Sequence, residues 1–255
     1  MKEEPRFELE LIKLKETDST NNYVKHLPLK KEMIIVTADF QTAGRGQQGN
    51  SWESEQGANL TLSILFSPPE NVLASNQFIL SQAISLAIQK TLEEYIHGFC
   101  IKWPNDIYWN HKKIGGILIE NELKGKHIER CIMGIGLNIN QELFKSHAPN
   151  PTSLFLITGK KYNRDDILMK IILNFKSYLK LIEDEKTKNI IQSYHKVLYR
   201  NDGLYAYKDS NGIFYASIEH VEPQGPICLK DENGNLRYYN FKEVKFLLDN
   251  LELSN

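Results

Sequence analysis

Three lysines, a tryptophan and an acidic residue stand close together near the middle of the chain, and a pair of glycines follows them. The run is Lys102-Trp103-Pro104-Asn105-Asp106, and a short turn separates it from Lys112-Lys113-Ile114-Gly115-Gly116. Ammonium groups offset charge on a polyphosphate and on the transition state of attack at phosphorus, where catalysis rests mainly on positioning and electrostatics. Asp106 could help to hold a magnesium ion. The run suits chemistry on a phosphate or a carboxylate, although a single lysine at a strand end is usually just solvated.

A long polar segment, residues 39–57, places glycines around one cation. Gly44, Gly46 and Gly49 flank Arg45, and their missing side chains let a ligand approach the backbone amides closely. The segment is not a Walker loop, since no Lys-Ser or Lys-Thr pair follows, and it lacks the spacing of a dinucleotide fingerprint. A solvated surface loop is the plainer interpretation of its composition. A loop this long within a compact domain is usually functional, however, and Arg45 could hold an anion.

Three other groups have both a structural and a functional interpretation. Ser19-Thr20-Asn21 reads first as a helix cap. Trp103 beside Pro104 could simply close the core. The alternating stretch from Gly134 to Asn140 has glycines where a flat ring could lie against the backbone, and tight strand packing is the alternative.

The elements that must position these residues alternate between strand-like and helix-like patterns. Strands are predicted at 7–11, 33–36, 60–66, 99–103, 107–109, 114–122 and 128–139, and helices at 17–27, 74–95, 164–181 and 186–199. The order indicates an α+β fold with a mixed, largely antiparallel sheet and packed helices in residues 1–200. From Gly203 to Leu248 the chain is strand-like with regular turn signals, which predicts a small β-barrel in residues 201–255.

Composition limits the function further. The 255 residues include 31 basic and 32 acidic side chains, and this balance argues against a dominant nucleic-acid surface. Neither a signal peptide nor a membrane-spanning segment is visible, so we expect a cytoplasmic protein without a membrane partner. The three cysteines are expected to be buried free thiols, and the seven histidines lack the spacing of a structural zinc site.

Taken in order, the motifs resemble those of the biotin protein ligase family over most of the chain. They are Ser19-Thr20-Asn21, Gln41 with Gly44-Arg45-Gly46 and Trp52, Lys102-Trp103-Pro104-Asn105-Asp106, Lys113-Ile114-Gly115-Gly116-Ile117-Leu118 and Gly136-Leu137-Asn138. The resemblance implies a class II synthetase-like catalytic domain and an SH3-like C-terminal barrel. It implies that biotin and MgATP react to biotinyl-5'-AMP and pyrophosphate, and that a lysine of a biotin carboxyl carrier protein domain then takes the biotinyl group. The acceptor would belong to a biotin-dependent carboxylase such as acetyl-CoA carboxylase.

The resemblance also implies residue roles. Lys113 and Arg45 would be catalytic, and biotin would contact Ser19, Thr20, Asn21, Gln41, Arg45, Gly46, Gln47, Lys113 and Gly116. ATP and the adenylate would contact Arg45, Gln48, Trp52, Lys102, Asn105, Asp106 and Asn138. Asp106 would serve the magnesium ion.

The sequence departs from the family in two places. Gln47 stands where a well-known subset has a second arginine, so retention of the adenylate would rely more on Arg45. About sixteen residues precede Thr17, too few for the DNA-binding domain of repressor-type members, so no nucleic-acid partner is expected. A lipoate or octanoate ligase or transferase of related fold and a noncatalytic biotin-binding module remain alternatives. The oligomeric state is left open, and a homodimer is compatible with the resemblance.

Overall fold

The computed structural model describes residues 8–145 and 150–247 and contains two β-sheets and five α-helices in that part of the chain. The seven strands of the main sheet are β1 (Leu9–Thr17), β2 (Met33–Gln41), β3 (Leu60–Phe66), β4 (Phe99–Lys102), β5 (Asp106–Trp109), β6 (Lys112–Lys124) and β7 (His127–Leu137). Their order is β1-β2-β3-β7-β6-β5-β4, and only the β1–β2 pair among these is parallel. The predicted mixed, largely antiparallel sheet is confirmed.

The helices cover the two faces of this sheet unequally. They are α1 (Thr20–Lys25), α2 (Phe78–Glu93), α3 (Leu154–Thr158), α4 (Arg164–Glu183) and α5 (Thr187–Lys196). Residues from α2, α4 and α5 join the large core on one face, whereas α1 contributes Val24 to a small cluster on the other face. The small cluster leaves much of that second face free for a binding site.

Alternation along the central strands decides which side chains reach each face. In β3, Leu62 and Ile64 belong to the large core, while Leu65 belongs to the cluster with Val24. Successive side chains of a strand point to opposite faces, so Ser63 lies on the same face as Leu65. Gly134 pairs with Ser63 in the register of β3 and β7. On the face that carries α1, the buried Ser63 hydroxyl therefore lies beside the backbone of Gly134, which has no side chain.

The C-terminal residues form a second, five-stranded antiparallel sheet. Its strands are β8 (Tyr205–Asp209), β9 (Gly212–Val221), β10 (Ile227–Asp231), β11 (Leu236–Tyr239) and β12 (Lys245–Phe246), in the order β11-β10-β9-β8-β12. The sheet agrees with the predicted small barrel. Its inward side chains, such as Tyr207 and Leu229, join the same apolar core as α2 and the main sheet.

Some predicted boundaries differ from the structure. Residues 74–76 form a 3-10 turn, and α2 begins at Phe78. Helix α3 has no counterpart among the predictions, because five residues are too few to show helical periodicity. All three cysteines are free, but Cys100 is partly exposed because it lies on the terminal strand β4. Among the described residues, no helix combines the length and apolarity that a membrane span requires.

Candidate active site

A cavity of about 610 Å³ opens on the face of the main sheet that carries α1. Its walls come from α1, the end of β2, the glycine-rich segment, the β4–β5 turn, β6, β7 and the second sheet. Of the predicted site residues, the lining includes Ser19, Thr20, Asn21, Gln41, Arg45, Gly46, Gln47, Trp52, Lys102, Asn105, Asp106, Lys113 and Gly116. Residues that are more than 90 positions apart in sequence thus meet in one site.

One end of the cavity is built from uncharged hydrogen-bonding groups. The backbone N–H of Thr20 donates to Gln41 Oε1 at 2.8 Å, and the Thr20 hydroxyl lies 3.1 Å from the same oxygen. Ser63 Oγ lies 2.8 Å from Thr20 Oγ1 and 2.5 Å from Asn21 Oδ1. Ser63 has no exposed surface, and Asn21 is 4% exposed. This end can recognise a neutral polar group, since buried polar atoms discriminate strongly against ligands that leave them unpaired.

Glycines at this end allow the side chains to approach the sheet. A Cβ atom on Gly134 would lie 2.3 Å from Asn21 Oδ1. A Cβ atom on Gly136 would lie 2.3 Å from Cε2 of Trp52. Both distances are far below ordinary contact, so Asn21 and Trp52 can take their places only because β7 carries glycine beneath them.

The glycine-rich segment folds into a short hairpin at the mouth of the cavity. Arg45 and Ser51 form an isolated antiparallel bridge, and Trp52 N donates to the carbonyl of Gly44 at 2.9 Å. The Arg45 guanidinium donates to the carboxylate of Glu120 on β6. Burial alone would raise the pKa of Glu120, but hydrogen bonds from Arg45 and Asn21 outweigh it and hold that pKa below its ordinary value. Glu120 is therefore an anion at neutral pH.

The other end of the cavity carries the cations. Lys113 Nζ lies 2.7 Å from Asp106 Oδ1, and it lies 5.9 Å from the centroid of the Trp52 ring. The Lys113 side chain is 32% exposed, so it remains accessible from the cavity. Lys102 Nζ lies 3.3 Å from Tyr108 Oη and 5.5 Å from the centroid of the Phe246 ring. The two ammonium groups form a cationic region beside a single acidic side chain of the lining.

The turn that holds this cationic end is fixed from both sides. The Asn105 side chain donates to the carbonyl of Ile117, and Ile117 N donates to the carbonyl of Asn105 at 3.0 Å. Trp103, on the other side, donates from Nε1 to the carbonyl of Gly225 at 2.8 Å and contacts Phe241 edge-on. Trp103 is 4% exposed, so it packs as a core residue, and it also fixes the turn at the cationic end.

Several residues in or directly behind the cavity wall were not among the sequence-based candidates. Ser63 and Glu120 bond to predicted residues, and the second sheet adds Phe241, Lys242, Val244, Lys245 and Phe246 to the wall. Alternation in β3 and β6 could have placed Ser63 and Glu120 on one face. No sequence signal indicated which segment of the second sheet would meet the cavity.

One predicted residue lies apart from the cavity. Asn138 is outside the cavity lining: it is 3% exposed and its Nδ2 donates to the carbonyl of Thr152 at 3.0 Å. This position gives no support to an adenine contact. The side chain of Gln48 lies outside the described part of the structure. Gln47 does line the cavity, and its Oε1 is buried without a hydrogen-bond partner.

A metal ion would find few protein ligands here. Within residues 8–145 and 150–247, no three His, Cys, Asp or Glu side chains are grouped as a metal site would require. Asp106 is the acidic residue of the lining, and it already pairs with Lys113. Magnesium is commonly held by one or two carboxylates together with substrate phosphates. The residues present fit a magnesium ion that is carried by a phosphate ligand.

The fold and the site define a class of protein. A neutral hydrogen-bonding pocket that continues into a cationic region, under a glycine-rich hairpin, can hold a ligand with an uncharged polar end and an anionic end. Residues 13–138 match the biotin/lipoate A/B protein ligase family. The chain is similar to this family over about half of its length, and the relatives that follow are named as biotin protein ligases.

Three individual relatives show how far the similarity extends. The chain is 30% identical over 217 residues to the bifunctional ligase/repressor BirA of Bacillus subtilis, which covers 82% of this chain and 65% of that protein. It is 35% identical over 130 residues to the biotin–[acetyl-CoA-carboxylase] ligase of Paracoccus denitrificans, covering 49% and 53% of the two chains. The structure of the biotin protein ligase from Aquifex aeolicus in complex with biotin and ATP superimposes with a TM-score of 0.78 and 27% identity, over 93% of this chain and 99% of that one. The chain thus spans 65% of the length of the Bacillus subtilis relative and 53% of the Paracoccus denitrificans relative.

Proposed function

We propose that this chain is an ATP-dependent biotin protein ligase. It would activate biotin as biotinyl-5'-AMP, release pyrophosphate and transfer the biotinyl group to a lysine of a biotin carboxyl carrier protein domain. The observation that carries the proposal is the position of Lys113. Its ammonium group lies in the same cavity as the neutral pocket of Thr20 and Gln41 and as Arg45, where a carboxylate and a phosphate would have to meet.

The reaction has two steps. A carboxylate oxygen of biotin attacks the α-phosphorus of ATP, the bond from that phosphorus to the bridging oxygen breaks, and pyrophosphate leaves. The uncharged amine of the carrier lysine then attacks the acyl carbon, the bond to AMP breaks, and an amide, AMP and a proton result. A carboxylate is a poor acylating agent, and the first step supplies its leaving group. The mixed anhydride must then be kept from water.

The residues of the cavity divide this work. Thr20, Asn21 and Gln41 would hold the ureido ring of biotin, with Ser19 beside them. Lys113 would neutralise the biotin carboxylate and the α-phosphate as charge develops, and Lys102 and Asn105 would bind the other phosphates. Arg45, Gly46 and Gln47, in the hairpin at the mouth, would cover the adenylate. Trp52 packs on Gly136 and would form the wall beneath it.

Magnesium would enter with ATP, and Asp106 is the side chain that would hold it. Bound to the phosphates, the ion supplies a positive charge that withdraws electrons from the reacting phosphorus. Asp106 also orients Lys113 through their 2.7 Å contact, so its substitution would affect both groups.

The first test is pyrophosphate release from MgATP with biotin, lipoate or octanoate, together with mass detection of the acyl-adenylate. We expect biotinyl-adenylate from the native protein and its loss in Lys113→Ala. Lys112→Ala is a matched control, because the adjacent lysine is exposed and does not line the cavity. Turnover with lipoate or octanoate would move the chain to the related ligases and transferases. Tight biotin binding without pyrophosphate would indicate a noncatalytic module.

The carrier domain would dock by adding a strand to the main sheet. The outer edge of β4 is occupied, because Ile101 N donates to Val197 O and Tyr199 N donates to Ile101 O. No strand in the described part of the chain pairs with the outer edge of β1, which leaves it open for an extended segment. The name of the Paracoccus denitrificans relative supports a carboxylase as the source of the carrier.

A charge reversal tests this docking edge. Lys15→Glu on β1 should impair transfer to the carrier while pyrophosphate release stays unchanged. Lys188→Glu, an equally exposed lysine on α5, is the control. Equal transfer by both variants would show that the carrier does not use this edge.

Three further proposals concern domain organisation, location and oligomeric state. Residues 1–200 would form the catalytic domain and residues 201–255 a C-terminal domain that closes the phosphate end of the cavity. We place the reaction in the cytoplasm, where ATP is available, and a homodimer would be compatible with it.

A further inference from the structure

Glu120 on β6 links two parts of the candidate site that otherwise lie on separate elements. Its Oε2 accepts a hydrogen bond from Arg45 Nη2 of the hairpin and another from Asn21 Nδ2 of α1 at 2.7 Å. The Arg45 and Glu120 side chains are 39% and 36% exposed. Asn21, in contrast, is almost fully buried. One carboxylate oxygen thus joins a solvent-facing cation to a buried amide.

From Glu120, the hydrogen bonds continue inward through Asn21 to the neutral end of the cavity. Because Asn21 Nδ2 donates to Glu120, Asn21 Oδ1 is directed at Ser63 Oγ, 2.5 Å away. Ser63 Oγ also lies 2.8 Å from Thr20 Oγ1, and the Thr20 hydroxyl lies 3.1 Å from Gln41 Oε1. Gln41 Oε1 still accepts the backbone N–H of Thr20. The charge of Glu120 therefore fixes the orientation of the Asn21 amide, whose oxygen meets Ser63 at the neutral end of the cavity.

The same carboxylate holds the hairpin. Among the described side chains of residues 44–51, hydrogen bonding to the main sheet is confined to Arg45. The remaining hairpin bonds are internal, such as Gly46 N to Asn50 O at 2.6 Å and Asn50 N to Gln47 O at 3.2 Å. A segment whose bonds are largely its own depends on such a side-chain contact for its position.

We propose that Glu120 is a positioning residue that couples occupancy of the neutral pocket to closure of the Arg45 hairpin. It binds Arg45 through one nitrogen and leaves the rest of the guanidinium for a ligand anion. It also presets the Asn21 amide for a neutral ligand. The coupling to catalysis depends on the proposed ligase function, but the tether itself belongs to the ligand-free protein.

The tether is tested without ligand or activity. Trypsin cleaves after Arg45, and mass spectrometry can follow cleavage of the Arg45–Gly46 bond in the native fold. Glu120→Gln keeps the shape of the side chain and removes its charge, and it should speed this cleavage about two- to fivefold, as expected for a partly exposed ion pair. Glu122→Gln is the matched control, because Glu122 lies two residues further along β6 and pairs with Arg130 at 3.5 Å. Equal rates in the two variants would overturn the tether.

The coupling is tested in turnover. Glu120→Gln should raise KM for biotin and the share of adenylate released free, each by about two- to fivefold, while kcat for pyrophosphate release changes less. A general loss of structure would instead lower kcat and thermal stability together. In an Arg45→Ala background, Glu120→Gln should add no further release of free adenylate. If Glu120→Gln matches the native protein in KM and release, the coupling is wrong. If the native protein forms no adenylate, the ligase proposal fails, and the trypsin result still decides the tether.

Discussion

The contact between Trp52 and Gly136 gives the most direct test of the site geometry. An alanine at position 136 would place its Cβ atom 2.3 Å from Cε2, 2.6 Å from Nε1 and 2.7 Å from Cδ2 of the Trp52 ring. Ordinary contacts of this kind lie at 3.4 Å or more. The ring would therefore have to move by about 1 Å or more away from the sheet, because β7 is a central strand paired on both sides.

The cost of this movement can be divided between stability and binding. Overpacking in a well-packed site costs about 1–3 kcal/mol. Trp52 is only partly buried and its Nε1 has no hydrogen-bond partner, so the ring can swing out and the cost should lie at the lower end. We expect a decrease in melting temperature of about 2–4 °C. Ligand affinity should fall about tenfold or more, because the displaced ring either enters the cavity or leaves it unwalled.

The assay compares Gly136→Ala with the native protein by thermal unfolding and by biotin titration calorimetry with and without ATP. Trp52→Ala and the double variant complete a cycle. Without the ring the new methyl group has nothing to collide with there, so the effect of Gly136→Ala on stability should nearly vanish in the Trp52→Ala background. Unchanged affinity in Gly136→Ala, or an equal loss of stability in both backgrounds, would refute the placement of Trp52 against β7.

Three further predictions address the hairpin, a thiol and the second sheet. Arg45→Gly should raise the release of free biotinyl-adenylate relative to transfer, measured by mass spectrometry, and unchanged release and transfer would remove Arg45 from that role. Burial raises the pKa of Cys100 from 9.0 to about 12. Iodoacetamide at pH 8 should therefore label this thiol slowly in the native protein and quickly in urea. The contribution of Cys100 to stability should be full below pH 9 and should decline as the pH rises toward 12. Burial would raise the pKa of Asp231, but hydrogen bonds from the Asn235 backbone and from Arg237 lower it, so the stability it adds is present above its ordinary value of 3.8 and is lost as the pH falls. Asp231→Asn should therefore unfold at a lower temperature at pH 7, with the difference shrinking in acid, and a constant difference would contradict the role of the charge.

The sequence predicted the fold class and most of the cavity because its signals are local. Strand β2 begins with the continuous apolar run Met33-Ile34-Ile35-Val36, and α2 shows a clear helical period. The segment containing Lys102 and Asp106 and the one containing Lys113 are joined by a short turn, so their meeting in antiparallel strands followed from chain order. These features need no knowledge of long-range packing.

The missed residues all depend on long-range register. Ser63 becomes a site residue because β3 pairs with β7 opposite Gly134 and because α1 lies on that face. Glu120 matters because β6 brings it within reach of both α1 and the hairpin. Asn138 is a separate case, because its suggested ligand contact stays a prediction. It lies just beyond the end of β7, its Nδ2 donates to Thr152, and its Oδ1 is buried without a hydrogen-bond partner.

The β4–β5 turn explains why the second sheet belongs to the site. The backbone and side chain of Asn105 fix one end of the turn to β6, next to Lys113. At the other end, Trp103 donates to the hairpin between β9 and β10 at Gly225. Lys102, the last residue of β4, has the ring of Phe246 beside its ammonium group. A displacement of the second sheet would therefore act on the turn that presents the side chains proposed to bind phosphate. Substitutions in residues 201–247 that loosen this docking should weaken ATP use more than biotin binding, since Thr20, Asn21 and Gln41 lie at the other end of the cavity.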